Sequence, residues 1–276
     1  MTATATATYQ PVHRPGDWLS DARVMLARSL RRSVRDPEAF ITALALPVIL
    51  MLLFVYVFGG AFSAGIHGDA GGYANYVVPG LIVLCAGFGA GTTAVAVATD
   101  MSSGIVDRFR SMPIASWSVL AGQIGASLVR NLLATALVIG AGLAVGWRPT
   151  AGPLAWVGAI AMIVLFILAM SWLAACFGLL VGSPEAATGA SYALMFIPYL
   201  SSAFVPAATM TRVLRPIANN QPFTPIIETM RGLWTGHTAT GASVGHEALL
   251  AGVYCAAILI AAVLCASRLY RHRTAA

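Results

Sequence analysis

Asp100-Met-Ser-Ser-Gly-Ile-Val-Asp-Arg-Phe-Arg-Ser-Met-Pro-Ile-Ala-Ser-Trp-Ser-Val-Leu-Ala-Gly-Gln123 separates two long apolar runs with a cluster of charge. The segment holds Asp100, Asp107, Arg108 and Arg110, while the runs on either side carry almost none. A short helical stretch at 105–111 is ended by Pro113, which cannot continue a helix. Charge of this density belongs in water and the flanking runs belong in lipid, so the segment reads as a loop on one side of a membrane.

The rest of the chain agrees. Of 276 residues, 58% are hydrophobic and 9% charged, and the mean hydropathy is +0.80. Soluble domains carry about 25% charged residues. A bilayer core about 30 Å thick needs roughly 20 apolar residues in a helix. Six runs meet that length: 40–58, 76–99, 124–145, 154–181, 186–205 and 248–267. The fifth is interrupted by Pro198. The runs are too long for barrel strands, which need about ten alternating residues. The expected fold is therefore an all-α integral membrane protein with six transmembrane helices. Residues 1–16, a Thr/Ala-rich stretch without an apolar signal region, read as a disordered tail. Residues 17–36 read as an amphipathic interface helix, 37–268 as the transmembrane domain and 269–276 as a cytosolic tail.

The arginines orient this arrangement. There is no lysine; all 16 basic residues are Arg. Eleven lie before the first run, in the 100–123 segment or after the last run. Arg148, Arg212, Arg215 and Arg231 fall on the other side, and Arg130 lies inside the third run. The positive-inside rule then places both termini in the cytosol. The net charge of +6 suits anionic headgroups, and a nucleic-acid partner is not expected, since the basic residues sit beside apolar spans. A chain without lysine cannot form the P-loop Gly-x-x-x-x-Gly-Lys-[Ser/Thr]. If ATP drives this protein, another chain hydrolyses it.

Catalytic chemistry finds little foothold. Cys85, Cys176, Cys255 and Cys265 all lie within spans and read as small apolar packing rather than a metal or redox site. The five histidines are scattered without ligand spacing, so no metal site is expected. A membrane-embedded, lipid-modifying enzyme would need paired acids, a metal cluster or an activated nucleophile in the spans.

Along the chain, Leu19, Ala22, Leu26 and Leu30 form one apolar stripe, widened by Trp18, Met25 and Val34. Arg23, Arg28, Arg31, Arg32 and Arg35 occupy much of the rest, as in a helix lying flat among headgroups. Asp36-Pro37-Glu38 restarts the helix. Ser183-Pro184-Glu185 is a tight turn with good capping chemistry. Residues 206–245 are too apolar for a plain loop and read as outer re-entrant helices between the fifth and sixth spans, with Thr224 as a cap and Pro225 in the first turn.

In their order, four stretches resemble the ABC-2 type transporter permeases, in particular the daunorubicin-type drug-resistance branch. They are Arg35-Asp36-Pro37 through Pro47 to Phe58-Gly59-Gly60; Tyr76-Val-Val-Pro-Gly-Leu81; Gly104-Ile-Val-Asp-Arg-Phe-Arg-Ser-Met-Pro-Ile114 with Leu120-Ala-Gly122 beyond it; and Ser183-Pro-Glu-Ala-Ala187 followed by Arg215-Pro-Ile-Ala218 and Gln221-Pro-Phe-Thr-Pro225 with Arg231-Gly-Leu233. Gln221 stands where the family usually has Asn. The resemblance implies a multi-pass permease of the bacterial inner or plasma membrane, not itself an enzyme. It would work as a homodimer or heterodimer of permease subunits with cytosolic ABC ATPase subunits, which carry the ATP and Mg. No cofactor is expected in this chain.

By the same resemblance, the contacts to the ATPase fall on Asp100, Gly104, Asp107, Arg108, Phe109, Arg110, Met112 and Pro113, with Arg31, Arg32 and Arg35 of the interface helix. The alternative for the arginines is headgroup contact. A substrate route between the second and fifth spans would use Tyr76, Phe88, Tyr192, Phe196 and Tyr199. Aromatic walls suit flat, greasy cargo, and the alternative is helix packing. Arg130 is an intramembrane charge that either serves the route or snorkels to the inner face. The cargo is expected to be a drug or lipid-like amphiphile, with polysaccharide or lipid-linked glycan as the alternative.

Overall fold

The computed structural model describes residues 18–34, 37–59, 72–103, 116–181 and 183–275. Among them every regular element is helical. The expected tail at 1–16, Arg35, the Asp36 cap and residues 104–113 of the charged segment lie outside the described residues.

Helix α1 (Trp18–Val34) is followed by α2 (Pro37–Leu52), which loosens into a π turn at Leu53–Val57. Then come α3 (Gly72–Ser102), α4 (Ser116–Val145) and α5 (Pro153–Leu180). Helix α6 (Pro184–Phe196) passes into a 3-10 turn at Ile197–Leu200. Two short helices, α7 (Leu214–Asn220) and α8 (Phe223–Thr235), precede the long α9 (Val244–Ala275).

Four of these helices are long and apolar enough to cross a membrane: α3, residues Val119–Val145 of α4, α5, and Val244–Tyr270 of α9. The runs at 40–58 and 186–205 differ from the single long helices expected there. The first is 16 residues of α-helix plus the π turn. The second stops after 13 residues, where Pro198 removes a backbone donor and crowds the preceding turn. Helix α9 runs on to Ala275, so most of the expected tail after residue 268 is a helical extension.

Helix α3 is the centre of the packing. It touches α2, α4, α5, α6 and α8, and 61% of its most apolar window is buried, against 17% for α9. Helix α9 leans on α5 and α8 and leaves Leu249, Val253, Ile260 and Leu264 exposed. In water such a face would be a liability; in hydrocarbon it is the solvent-compatible surface. Leu81, Ile82, Leu84, Ile167, Ile226 and Ile227 fill the core.

The bundle has two distinct ends. At one, α1 lies against the start of α4. Gly122 makes this possible: a Cβ there would sit 2.5 Å from Cβ of Met25. At the other end, the backbone N–H of Arg148 donates to Oδ1 of Asn75 (3.2 Å). The N–H of Thr150 donates to the carbonyl of Trp234 (2.8 Å). Trp147 and Trp234 meet edge-on with ring centres 5.1 Å apart, and Trp156 closes the group at 5.5 Å from Trp234. These rings pin α8 to the α4–α5 connection.

Local chemistry explains the element boundaries. Ser183 caps α6 as expected: its hydroxyl accepts from the Ala186 N–H, with Pro184 in the first turn. Thr224 does not cap α8. The helix begins at Phe223, and the Thr224 hydroxyl instead donates to the Ala218 carbonyl at 2.6 Å, tying α8 to the end of α7.

Candidate functional site

Three groups of side chains carry chemistry that packing alone does not require. The first is at the α1 end. Asp100 closes α3 and is buried. Gln123, on the first turns of α4, donates to Asp100 Oδ2 at 2.7 Å. Arg28 of α1 approaches Asp100 Oδ1 at 3.6 Å. The Gln123 bond to a buried carboxylate is the stronger tie, worth about 1.5–3 kcal/mol. Arg28 is a third exposed, so its pairing adds at most about 1 kcal/mol. Asp100 therefore joins α1, α3 and α4 at the two ends of the 104–115 segment. Arg31 is exposed on α1. The backbone of Arg32 continues that helix. Gly104, Asp107, Arg108, Phe109, Arg110, Met112, Pro113 and Arg35 lie outside the described residues.

The second group is aromatic. Phe88 on α3 and Tyr199 after α6 have ring centres 6.2 Å apart, and Phe196 is 5.9 Å from Tyr199. Phe204 stacks on Tyr199 (5.6 Å) and on Phe54 of the π turn (4.3 Å). Tyr192 and Phe196 lie one turn apart on α6 and are exposed. Of the residues expected to line a route, Phe88, Phe196 and Tyr199 thus come together, with Tyr192 on the same helix.

Tyr76 belongs elsewhere, in the third group at the end opposite α1. It is buried, and its hydroxyl donates to the Ser202 carbonyl at 2.8 Å. The Arg231 guanidinium lies 3.8 Å from the centre of the Tyr76 ring. It donates to the carbonyls of Tyr76 (3.1 Å) and Ser202 (3.1 Å) and pairs with Glu228 one turn earlier on α8. Glu228 is completely buried. It accepts from the Ser202 hydroxyl (2.7 Å) and the Ala239 N–H (2.6 Å). A buried pair with this many partners holds one geometry. A cleft of about 330 Å³ opens beside it, with Ser202, Glu228, Thr240 and Glu247 on its walls and Arg215 among its lining.

Arg130 lies between the Asp100 joint and the Arg148 end. It is partly buried on α4, three residues on from Ser127. That serine links a hydroxyl layer across three helices: Thr93 donates to it (2.7 Å), Ser171 lies 2.8 Å away, and Asn131 donates to it at 3.2 Å. Cys85, Cys176 and Cys255 are buried. No group of three or more His, Cys, Asp or Glu suited to a metal ion occurs among the described residues.

The sequence reading missed the roles of Glu228, Ser202 and Glu247, and had Arg231 as an outer-side charge in the Arg231-Gly-Leu233 stretch of the resemblance. The one signal available was an acid and a base three apart inside an otherwise apolar stretch, Phe223 to Trp234.

Comparison with known proteins fits this architecture. The ABC-2 type transporter family profile matches residues 21–234. A daunorubicin resistance ABC transporter permease of Streptomyces coeruleorubidus is 30% identical over 253 residues, covering 91% of this chain and 86% of the relative. A probable doxorubicin resistance ABC transporter permease of Mycobacterium tuberculosis is 26% identical over 226 residues, 82% of this chain and 81% of the relative. A second permease of that organism, a doxorubicin resistance protein, is 24% identical over 218 residues. The chain belongs to the ABC-2 type transporter family and is a multi-pass membrane permease.

Proposed function

From that membership we propose that the chain is the membrane subunit of an exporter that moves an amphipathic drug outward and is driven by a separate ATPase. The relatives named for daunorubicin and doxorubicin resistance support the cargo class. The absence of lysine supports a partner as the site of ATP hydrolysis. The observation that carries the mechanism is the Asp100 joint. An ATPase gripping the 104–115 segment and α1 moves α3 and α4 together, because Gln123 and Arg28 hold all three at Asp100.

In this reading the chain crosses the membrane six times, with α2 and α6 as the two short crossings and α7 and α8 dipping into the outer leaflet. Both termini face the ATPase, and a second permease subunit completes the pathway. The exposed Tyr192 and Phe196, backed by Tyr199 and Phe88, form the wall that cargo slides past. Tyr76 is a strut rather than a wall, since its ring and hydroxyl are already engaged.

The test is efflux. Cells lacking their own drug pumps and expressing this chain with its ATPase should hold several-fold less doxorubicin than cells with an ATPase-dead partner. Equal accumulation in the two would overturn the assignment.

A further inference from the structure

We propose that the cleft beside Glu228 binds the protonated amine of an amphipathic ligand, with Glu247 as its counter-ion. This rests on the exporter reading and names a site for cargo, or for a lipid, at the end of the bundle opposite α1.

Glu247 lies in the first turn of α9 and is 5% exposed. Its Oε1 accepts from the Thr240 hydroxyl at 2.6 Å. Its other oxygen has no hydrogen-bond partner, and no arginine pairs with it, among the described residues. A carboxylate so buried and so poorly compensated attracts a cation from outside. The cavity it faces, about 330 Å³, is at the lower end of small-molecule sites.

The remaining walls narrow the class of cation. Glu228 is already neutralised by Arg231 and fixed by the Ala239 N–H, so it shapes the cleft without adding a second free charge. One carboxylate without an ion-pair partner among the described residues matches a monovalent cation. A divalent ion would want more anionic ligands than this cleft has. Ser202, Thr224 and Thr240 offer hydroxyl oxygens to ammonium hydrogens, while Pro225 and Leu250 offer apolar surface to the body that carries the amine.

The experiment uses the full chain in nanodiscs of phosphatidylglycerol, with dansylcadaverine as the ammonium probe and its N-acetyl derivative as the neutral control. The wild type should bind the ammonium form about ten-fold more tightly or better. Glu247→Gln, which keeps an acceptor for Thr240, should erase that preference and leave the neutral form unchanged. Leu250→Trp, which fills the cleft, should remove saturable binding of the ammonium probe and carries the test if Glu247→Gln does not fold. Equal binding of the two forms by the wild type, an undiminished preference in Glu247→Gln, or unchanged binding in Leu250→Trp would each overturn the site. Added phosphatidylethanolamine separates the sources: displacement of the probe assigns the site to an aminolipid, and its absence to a free amphipathic amine. Doxorubicin efflux is scored separately, so a missing ammonium preference with efflux intact sinks this site and spares the exporter reading.

Discussion

Arg231 and Glu228 form a buried ion pair that ties α8 to Tyr76 and Ser202. Their charges are buried, both Glu228 oxygens and two of the three Arg231 nitrogens reach a backbone or hydroxyl partner, and Nη1 meets Glu228 itself. Removing one member leaves the other ionised and unpaired, which costs about 3–5 kcal/mol, whereas replacing both by apolar residues costs less. Arg231→Met is therefore expected to lower the thermal midpoint of the purified protein sharply, and the double variant Glu228→Met/Arg231→Met to recover a large part of it. Differential scanning fluorimetry reads both. A double variant no more stable than the single would show that the carbonyl contacts to Tyr76 and Ser202, rather than the ion pair, fix α8.

The joint between α1 and α4 depends on Gly122, whose missing side chain lets Met25 and Leu26 come close. Gly122→Leu should lift α1 from the bundle and speed tryptic cleavage at Arg23, Arg28 and Arg31 by about an order of magnitude, provided that opening governs cutting. Unchanged cleavage would mean that α1 is held by the membrane instead. The 104–115 segment carries a second expectation. Arg108→Glu with Arg110→Glu should abolish co-purification of the ATPase and efflux: in this reading the two arginines meet acidic groups of the ATPase, and like charges brought together and desolvated cost several kcal/mol. Insertion should survive, since the other arginines on that side remain. A double variant that keeps partner and efflux would reduce these arginines to topology signals.

At the same scale the limits of the sequence become clear. Helices α3, α4, α5 and α9 were legible because a run of some 20 apolar residues has almost no other stable form in lipid. The Ser183 cap was legible because all its atoms lie within four residues. The Pro198 break was marked in the sequence, though not how short it leaves α6. Thr224 misled, because its hydroxyl has a competing acceptor at Ala218, which only the path of α7 brings near. The Glu228 site was hidden for a stronger version of that reason. One of its partners, Ser202, lies 26 residues away, and Arg231 reaches Tyr76, 155 residues away. No periodicity encodes such distances.

For the whole molecule, the arginine distribution and the two ends of the bundle make one arrangement testable. Reporter fusions after Ala276 and at Gly68 should report opposite faces of the membrane, with the former cytosolic. The same face for both would break the six-crossing reading. The purified chain alone should show no ATP turnover above background, and robust turnover free of any ATPase would refute a partner-driven mechanism. The Asp100 joint also has a mechanical meaning. Helix α3 is 31 residues long, about 46 Å at 1.5 Å per residue, and Asp100 is near one tip while Tyr73 and Tyr76 are at the other. Such a rod works as a lever: with about 36 Å between Asp100 and Tyr76, a tilt of about 5° at the gripped tip moves Tyr76 through roughly 3 Å. That matches the 2.8 Å length of the Tyr76–Ser202 bond, so a nudge too small to disturb the Gln123–Asp100 contact is enough to part Tyr76 from Ser202 and rearrange everything that hangs on Arg231.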